Sequence, residues 1–309
     1  MKLVKKIFAI ICSILFILVS SALCQAKTVT DEAGRTVQVP DDPKRVIALA
    51  PSITEIIFDL GQEHRLMGVT QFSNFPKAAT QLPRVGSYVH LDLEKIVSLK
   101  PDLCIAIKDG NPIAMIRRLE SLKIPIYAVS PENFNSVMDT IRRIGDLLNS
   151  HERAKSLTEN LARRVRHIRS EISGATHHPG VFFQIGLAPI VSAGTDTFIH
   201  QLITLAGGRN LAKGPVAYPR FSREQVLVLS PEVIVITSMA REGGFEDVKA
   251  EWYSWPHLPA VRNKRVFIID SDLVNRPTAR LVTGLEQLAE LIHPELFKPE
   301  FSKKDDKKE

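Results

Sequence analysis

The chain has 309 residues, 44% of them hydrophobic and 24% charged, which is enough for one large domain or two modest ones and too apolar for a disordered chain. Its formal charge is +6, but Lys2, Lys5 and Lys6 open a leader-like segment, and without that segment the balance falls to +3. So small an excess gives no case for a nucleic-acid partner.

After the lysines, Ile7 to Leu18 is apolar except for Cys12 and Ser13, and small residues follow from Ser20 to Ala26. This is the layout of a secretory signal. The run is about a dozen residues, short of the ~20 needed to span a bilayer. Residues 1–26 are expected to be a signal peptide cleaved after Cys24 or Ala26, placing the mature protein in the periplasm. Lipidation of Cys24 is the less favoured alternative, because bulky Leu23 stands where that signal wants a small residue. Cys104 is then the single cysteine left, so no intramolecular disulfide is expected, and its setting in LCIAI reads as a packed small hydrophobe. The end, KKDDKKE, reads as a frayed tail over 299–309.

Past Thr28 a short extended stretch leads to an apolar strand at 46–50, a helix at 51–61 capped by Ser52 or Thr54 and stopped by Gly61, and a strand at 66–70. A helix from Leu93 is ended by Pro101, and Leu103 to Ile107 is apolar at every position, as strands covered on both faces are. A strand at 125–129 and a helix at 133–148 follow. From 150 to 173 the apolar residues Ala154, Leu157, Leu161, Val165, Ile168 and Ile172 step by 3, 4, 4, 3 and 4, the signature of one long amphipathic helix. It would reach roughly 35 Å at ~1.5 Å per residue. The arginines on its other faces read as a solvated surface. After the turn His177-His178-Pro179-Gly180 the pattern restarts. Strands are expected at 181–185, 190–193, 233–237 and 266–269, and helices at 196–206, 222–229 and 278–292.

The stretch LEKIVSLKPDLCIAI (93–107) and the stretch REQVLVLSPEVIVIT (223–237) are the same helix–strand unit written twice. The expected fold is therefore α/β. Two similar lobes, 27–148 and 176–298, each have a mostly parallel sheet flanked by helices, and one long helix over 149–175 joins them. A single stiff connector implies limited lobe closure. Ligands in such sheets bind beyond the carboxyl ends of the strands, and two lobes can share one cleft there.

Six segments carry a family resemblance: RVIALAPSITEIIFDLG (45–61), GVTQFSNFP (68–76), VGSYVHLDLEKIVSLKPDLCIAI (85–107), FSREQVLVLSPEVIVIT (221–237), LPAVRNKRVFIID (258–270) and NRPTARLV (275–282). Together, in this order, the chain resembles the periplasmic substrate-binding proteins of ABC importers, in the rigid-helix class that carries iron chelates, haem and cobalamin. It is most similar to the cobalamin-binding branch. The resemblance implies a monomer that captures a corrinoid, with a ferric siderophore or haem as the alternative, and delivers it to a permease dimer and its ATPase. It implies ligand contacts at Pro51, Ser52, Phe72, Tyr88, Tyr218, Asp272, Asn275 and Arg276. Aromatic walls suit a flat, partly apolar guest, since they bring contact area at little entropy cost. Where the family has a strand-end tryptophan this chain has Ile107.

Glu94 and Glu224 sit at matched places in the repeated unit. Helix-dipole stabilisation explains either alone; the resemblance implies that the pair docks on the two permease halves. Trp252 and Trp255 read as structural. The sequence lacks GxGxxG after the first strand, GxxxxGK[ST], HExxH and GxSxG. No catalytic residue and no protein metal site is expected, and His90 is left as a remote candidate for an axial ligand.

Overall fold

The computed structural model describes residues 26–186, 189–237 and 244–297. The leader through Gln25, with Cys24, and the tail 299–309 lie outside the described residues.

The extended stretch at the start is a hairpin, β1 (Ala26–Thr30) with β2 (Thr36–Pro40). Its turn is tied down by Glu32, whose carboxylate accepts from Ser130 N (2.6 Å) and the Thr140 hydroxyl (2.8 Å). Then come β3 (Val46–Ala48), α1 (Pro51–Asp59), β4 (Leu66–Val69), α2 (Leu93–Ser98), β5 (Leu103–Ile107), α3 (Ile113–Ser121), β6 (Ile126–Val129) and α4 (Phe134–Leu147). The long connector is α5 (His151–Ile172), 22 residues. Beyond it lie β7 (Gly180–Gln184), β8 (Ile190–Val191), α6 (Phe198–Leu205), β9 (Arg209–Asn210), β10 (Arg220–Phe221), α7 (Arg223–Leu229) and β11 (Val233–Ile236). The chain closes with α8 (Phe245–Tyr253), α9 (Pro259–Arg262), β12 (Val266–Ile268), α10 (Ser271–Val274) and α11 (Arg280–Ile292).

Two separate four-stranded parallel sheets result, in the orders β4-β3-β5-β6 and β9-β7-β11-β12. Counted within its own half, each sheet runs second strand, first, third, fourth. The repeated sentence is thus α2–β5 and α7–β11, each unit supplying the third strand of its sheet. Leu103, Cys104, Ile105 and Val233 to Ile236 are fully buried, as strands covered on both faces must be.

Two expectations need correction. Ala50, not Ser52 or Thr54, is the N-cap of α1, and no side chain caps it. Thr54 lies inside the helix with its hydroxyl 2.9 Å from that of Ser73, fastening α1 to the loop after β4. Four helices, α3, α8, α9 and α10, fall where the sequence raises no expectation. In α3 Ile116 and Leu119 alone are buried, too narrow a stripe to register as periodic.

The sheets are separate but the core is not. A single apolar cluster runs from Ile53, Ile57 and Ile144 of the N-terminal lobe, through Ala154, Leu161 and Ile168 of α5, to Leu202, Leu285 and Leu288 of the C-terminal lobe. Gly145 lets α4 and α5 approach closely, since a Cβ there would stand 2.5 Å from that of Ala154. Not all the connector's arginines are merely solvated. Arg153 Nε donates to Asp59 O (3.0 Å), and Arg164 bonds the Glu286 carboxylate and the Thr283 hydroxyl of α11. We predict one cooperative unfolding transition for both lobes, and Leu161→Ala should cost about 2–5 kcal/mol without splitting it. Urea unfolding followed by circular dichroism checks this; two separated transitions would contradict it.

Candidate functional site

In parallel βα units the loops leaving the carboxyl ends of the strands share one edge of the sheet. In the N-terminal lobe these loops are 49–51 after β3, 70–92 after β4 and 108–112 after β5. In the C-terminal lobe they are 185–197 after β7, 211–219 after β9 and 269–279 after β12. All eight residues expected to face a ligand lie in these loops or in the helical turns they open. The two edges meet: Arg276, which follows α10, reaches Glu55 of α1 with 2.6 Å between Nη1 and Oε1. Its Nη2 also donates to Phe72 O (3.3 Å) and pairs with Asp272 (2.9 Å).

The N-terminal wall is built by small polar residues. Thr70 and Ser73 hydroxyls stand 2.9 Å apart, and Arg84 Nη1 donates to both Thr70 O (2.8 Å) and Ser73 O (2.9 Å), which fixes the turn carrying Phe72. Phe72 and Tyr88 meet edge to face with centroids 6.5 Å apart. Tyr88 sits in a turn that starts at Gly86 (φ +89°), where a Cβ would collide with His90 O. Asn111, 7% exposed, binds three strand-end loops at once. It accepts from Ile107 N (2.8 Å) and donates to Leu49 O (2.9 Å) and Tyr88 O (2.8 Å). Pro51 and Ser52 open α1 beside this wall, with Ser52 buried. His90 is exposed; its backbone N–H donates to the Ser87 hydroxyl (2.9 Å) and its carbonyl accepts from Ser87 N (2.9 Å).

The C-terminal wall is the loop 211–219. Ser192 N donates to Pro219 O, Gly194 N to Ala217 O and Thr195 N to Gly214 O, so it is zipped to the loop leaving β7. Gly194 is required there, because a Cβ would collide with Val216 O. Tyr218 is 61% exposed and Val216 59%. With Phe75, Val89 and Ile113 of the opposite lobe they make up half of the ten large apolar side chains left exposed among the described residues. Sequence reading singled out Tyr218 alone of these five. Valine and isoleucine in loops carry no signal until the fold shows them unburied.

Charge gathers where the lobes meet. Glu55 is 2% exposed, with Oε2 unpartnered, and burial raises its carboxyl above the usual range against the pull of Arg276 and Arg280. Arg280 lies 3.5 Å from Glu55, 3.6 Å from Asp270, and stacks on the Phe75 ring at 4.0 Å. Arg276 is 9% exposed and committed to this cluster, a setting its sequence neighbours did not reveal. Asp272 and Asn275 are half-buried beside it. Among the described residues no His, Cys, Asp or Glu group is placed to hold a metal ion. Trp252 is buried, its Nε1 donating to Gln184 Oε1 (2.8 Å), while Trp255 is 37% exposed. Cys104 is fully buried, and burial pushes its thiol up.

The matched glutamates are matched in three dimensions. Glu94 and Glu224 are each the second residue of their helix, both exposed. Asp92 caps α2 through Lys95 N (2.9 Å), and Ser222 with Gln225 forms a capping box on α7. The Ser222 hydroxyl, then the backbone N–H of Glu224 itself, hold the Glu224 carboxyl below its ordinary range. Helices α2 and α7 run back against their strands, so both N-termini lie at the carboxyl edges.

The family model described as periplasmic binding protein matches residues 46–273. The chain is 31% identical over 253 residues to a vitamin B12-binding protein of Photorhabdus laumondii, covering 81% of this chain and 88% of that one. It is 28% identical over 277 residues to an ABC transporter substrate-binding lipoprotein of Bacillus subtilis, covering 88% and 87%. A periplasmic vitamin B12-binding protein structure from Vibrio cholerae aligns with a TM-score of 0.73 at 29% identity, covering 84% of this chain and 100% of that one. A periplasmic haem-binding protein from Pseudomonas aeruginosa aligns with 0.73 at 28%, covering 82% and 93%.

Two predictions follow from the site's construction. Burial first, and then Glu55, raise the Asp59 carboxyl to about 6 from an ordinary 3.8, against the pull of Arg153 and Arg280. Across that window the folded chain keeps a proton that the unfolded chain has released, so stability falls as pH rises through it. Asp59→Asn should therefore stabilise the protein at pH 7 by on the order of 1–3 kcal/mol and leave it unchanged below pH about 4. Denaturant melts at the two pH values measure this. Asn111→Ala strands three backbone groups and should cost about 2–4 kcal/mol, read in the same melts.

Proposed function

The chain belongs to the periplasmic binding protein family, and on that footing we propose that it captures cobalamin between its two lobes and hands it to an ABC permease. The observation that carries this is the exposed apolar surface at the meeting edges: Phe75, Val89 and Ile113 on one side, Val216 and Tyr218 on the other. Water is a poor partner for such a surface, and a broad, flat, partly apolar guest is a good one. The relatives named for vitamin B12 binding match along most of their length.

On this reading Phe72, Tyr88 and Tyr218 supply the apolar faces, with Pro51 and Ser52 at the opening of α1. Asp272, Asn275 and Arg276 sit where the amide fringe of a corrinoid would come. Capture needs no covalent step. The protein works outside the cytoplasmic membrane after export through its leader. No helix among the described residues is long and apolar enough to cross a membrane. Glu94 and Glu224, one per lobe on equivalent helices at the same edge, offer a paired acidic contact to a two-fold permease, with its ATPase beyond. Haem is the second reading, favoured by the likeness to a haem-binding structure and by Tyr88 at the edge.

Titration with cyanocobalamin and, separately, with hemin decides between them. Binding of cyanocobalamin with Tyr218→Ala about tenfold weaker, a loss of ~1.4 kcal/mol, is expected. Hemin binding with no cyanocobalamin binding would overturn the corrinoid assignment. Glu94→Ala with Glu224→Ala should leave capture intact and abolish cobalamin-dependent growth of a strain relying on this importer; normal growth would remove the docking role.

A further inference from the structure

One contact between the lobes is ionic, largely buried and joined to the N-terminal wall of the proposed cleft. Glu55 comes from the helix that leaves β3, and Arg276 and Arg280 come from the segment that leaves β12. From the guanidinium of Arg276 the chain of contacts continues to Phe72 O at 3.3 Å, and from that of Arg280 to the Phe75 ring at 4.0 Å. One carboxylate therefore sits behind two aromatic residues of the N-terminal wall while holding the opposite lobe.

We infer that Glu55 is a positioning residue for cargo capture: acting through Arg276 and Arg280, it sets the spacing of the lobes and the seating of Phe72 and Phe75. This rests on the reading of the interlobe cleft as the cargo site. A buried ion pair returns little net stability over an apolar pair of the same size, yet breaking it strands a charge. Such a contact selects a geometry more than it adds stability. Apolar packing along α5 can join the lobes, but apolar contact is non-directional and tolerates a few degrees of tilt. A guanidinium shared between a carboxylate and a carbonyl does not, because its donors form a rigid fork.

Not every bond at the seam is made. Glu55 Oε2 and Asn275 Nδ2 are buried without partners. Buried polar groups are rarely left so.

The test uses the full mature protein with spin labels at Ser98→Cys and Arg262→Cys, exposed positions on opposite lobes; Cys104 is fully buried and stays unlabelled. Without cargo, the wild-type distance distribution should be narrow, and Glu55→Gln, nearly isosteric, should broaden or shift it. The same substitution should weaken cyanocobalamin binding at least tenfold. If it acts through Arg276, Glu55→Gln added to Arg276→Gln should weaken binding no further. Arg280→Gln, on the more exposed side of the cluster, gives an independent arm and should broaden the distribution if Glu55→Gln fails to fold. An unchanged distribution in the variants that fold, or additive losses of affinity in the double variant, would overturn the positioning role. Should wild-type protein take no cyanocobalamin, the distance measurement still decides the inference separately from the choice of cargo.

Discussion

Everything in this molecule hangs on the shared core along α5. Ala154, Leu161 and Ile168 place one helix inside a single apolar cluster with both lobes, so the lobes are neither beads on a string nor halves of one sheet. A flexible linker would let the strand edges wander. A helix buried along one stripe that both lobes share, and pinned by Arg153 to α1 and Arg164 to α11, holds the two lobes to one arrangement. A preformed slot loses little ordering entropy when a large rigid guest enters.

That constraint explains how work is divided around the slot. Apolar residues are left exposed at its two walls, where burial must wait for cargo. Charge is buried at the seam beside it, where Glu55 and Arg276 are nearly free of solvent and Arg280 is half-buried. Hydrogen bonding hidden behind the walls, by Asn111, Arg84 and the zipped 211–219 loop, holds loops that have no sheet to hold them. Glu94 and Glu224 are exposed on the first turns of two equivalent helices. The same winding of strands in both lobes makes that pair of acids nearly equivalent in space, which suits a partner built with two-fold symmetry.

Much of the fold was legible in the sequence because it depends on local pattern. All-apolar LCIAI and VIVI could hardly be other than doubly covered strands, and the steps of three and four from Ala154 to Ile172 write the connector plainly. What local pattern could not show was pairing across distance. Arg276 beside Asn275 and Asp272 reads as a polar ligand group; its bond to Glu55 spans 221 residues of sequence. Asn111 looks like one more residue of a DGN turn, yet it ties the loops that hold Leu49 and Tyr88. Ile113 and Val216 look like core residues and are not. Helix α3 was missed because its buried face is two residues wide. The cap of α1 was misplaced because Pro51, whose fixed φ already suits a helix, starts it one residue before Ser52 and leaves Ala50 as the cap.

The measurement that tests the account most directly is a crystal structure of the mature protein grown with cyanocobalamin. The account predicts the corrin ring between Tyr88 and Phe72 on one side and Tyr218 on the other, with α5 unbent and the lobes superposing together on their unloaded arrangement. A corrinoid bound away from the interlobe edges, or lobes rotated apart about a broken α5, would contradict it.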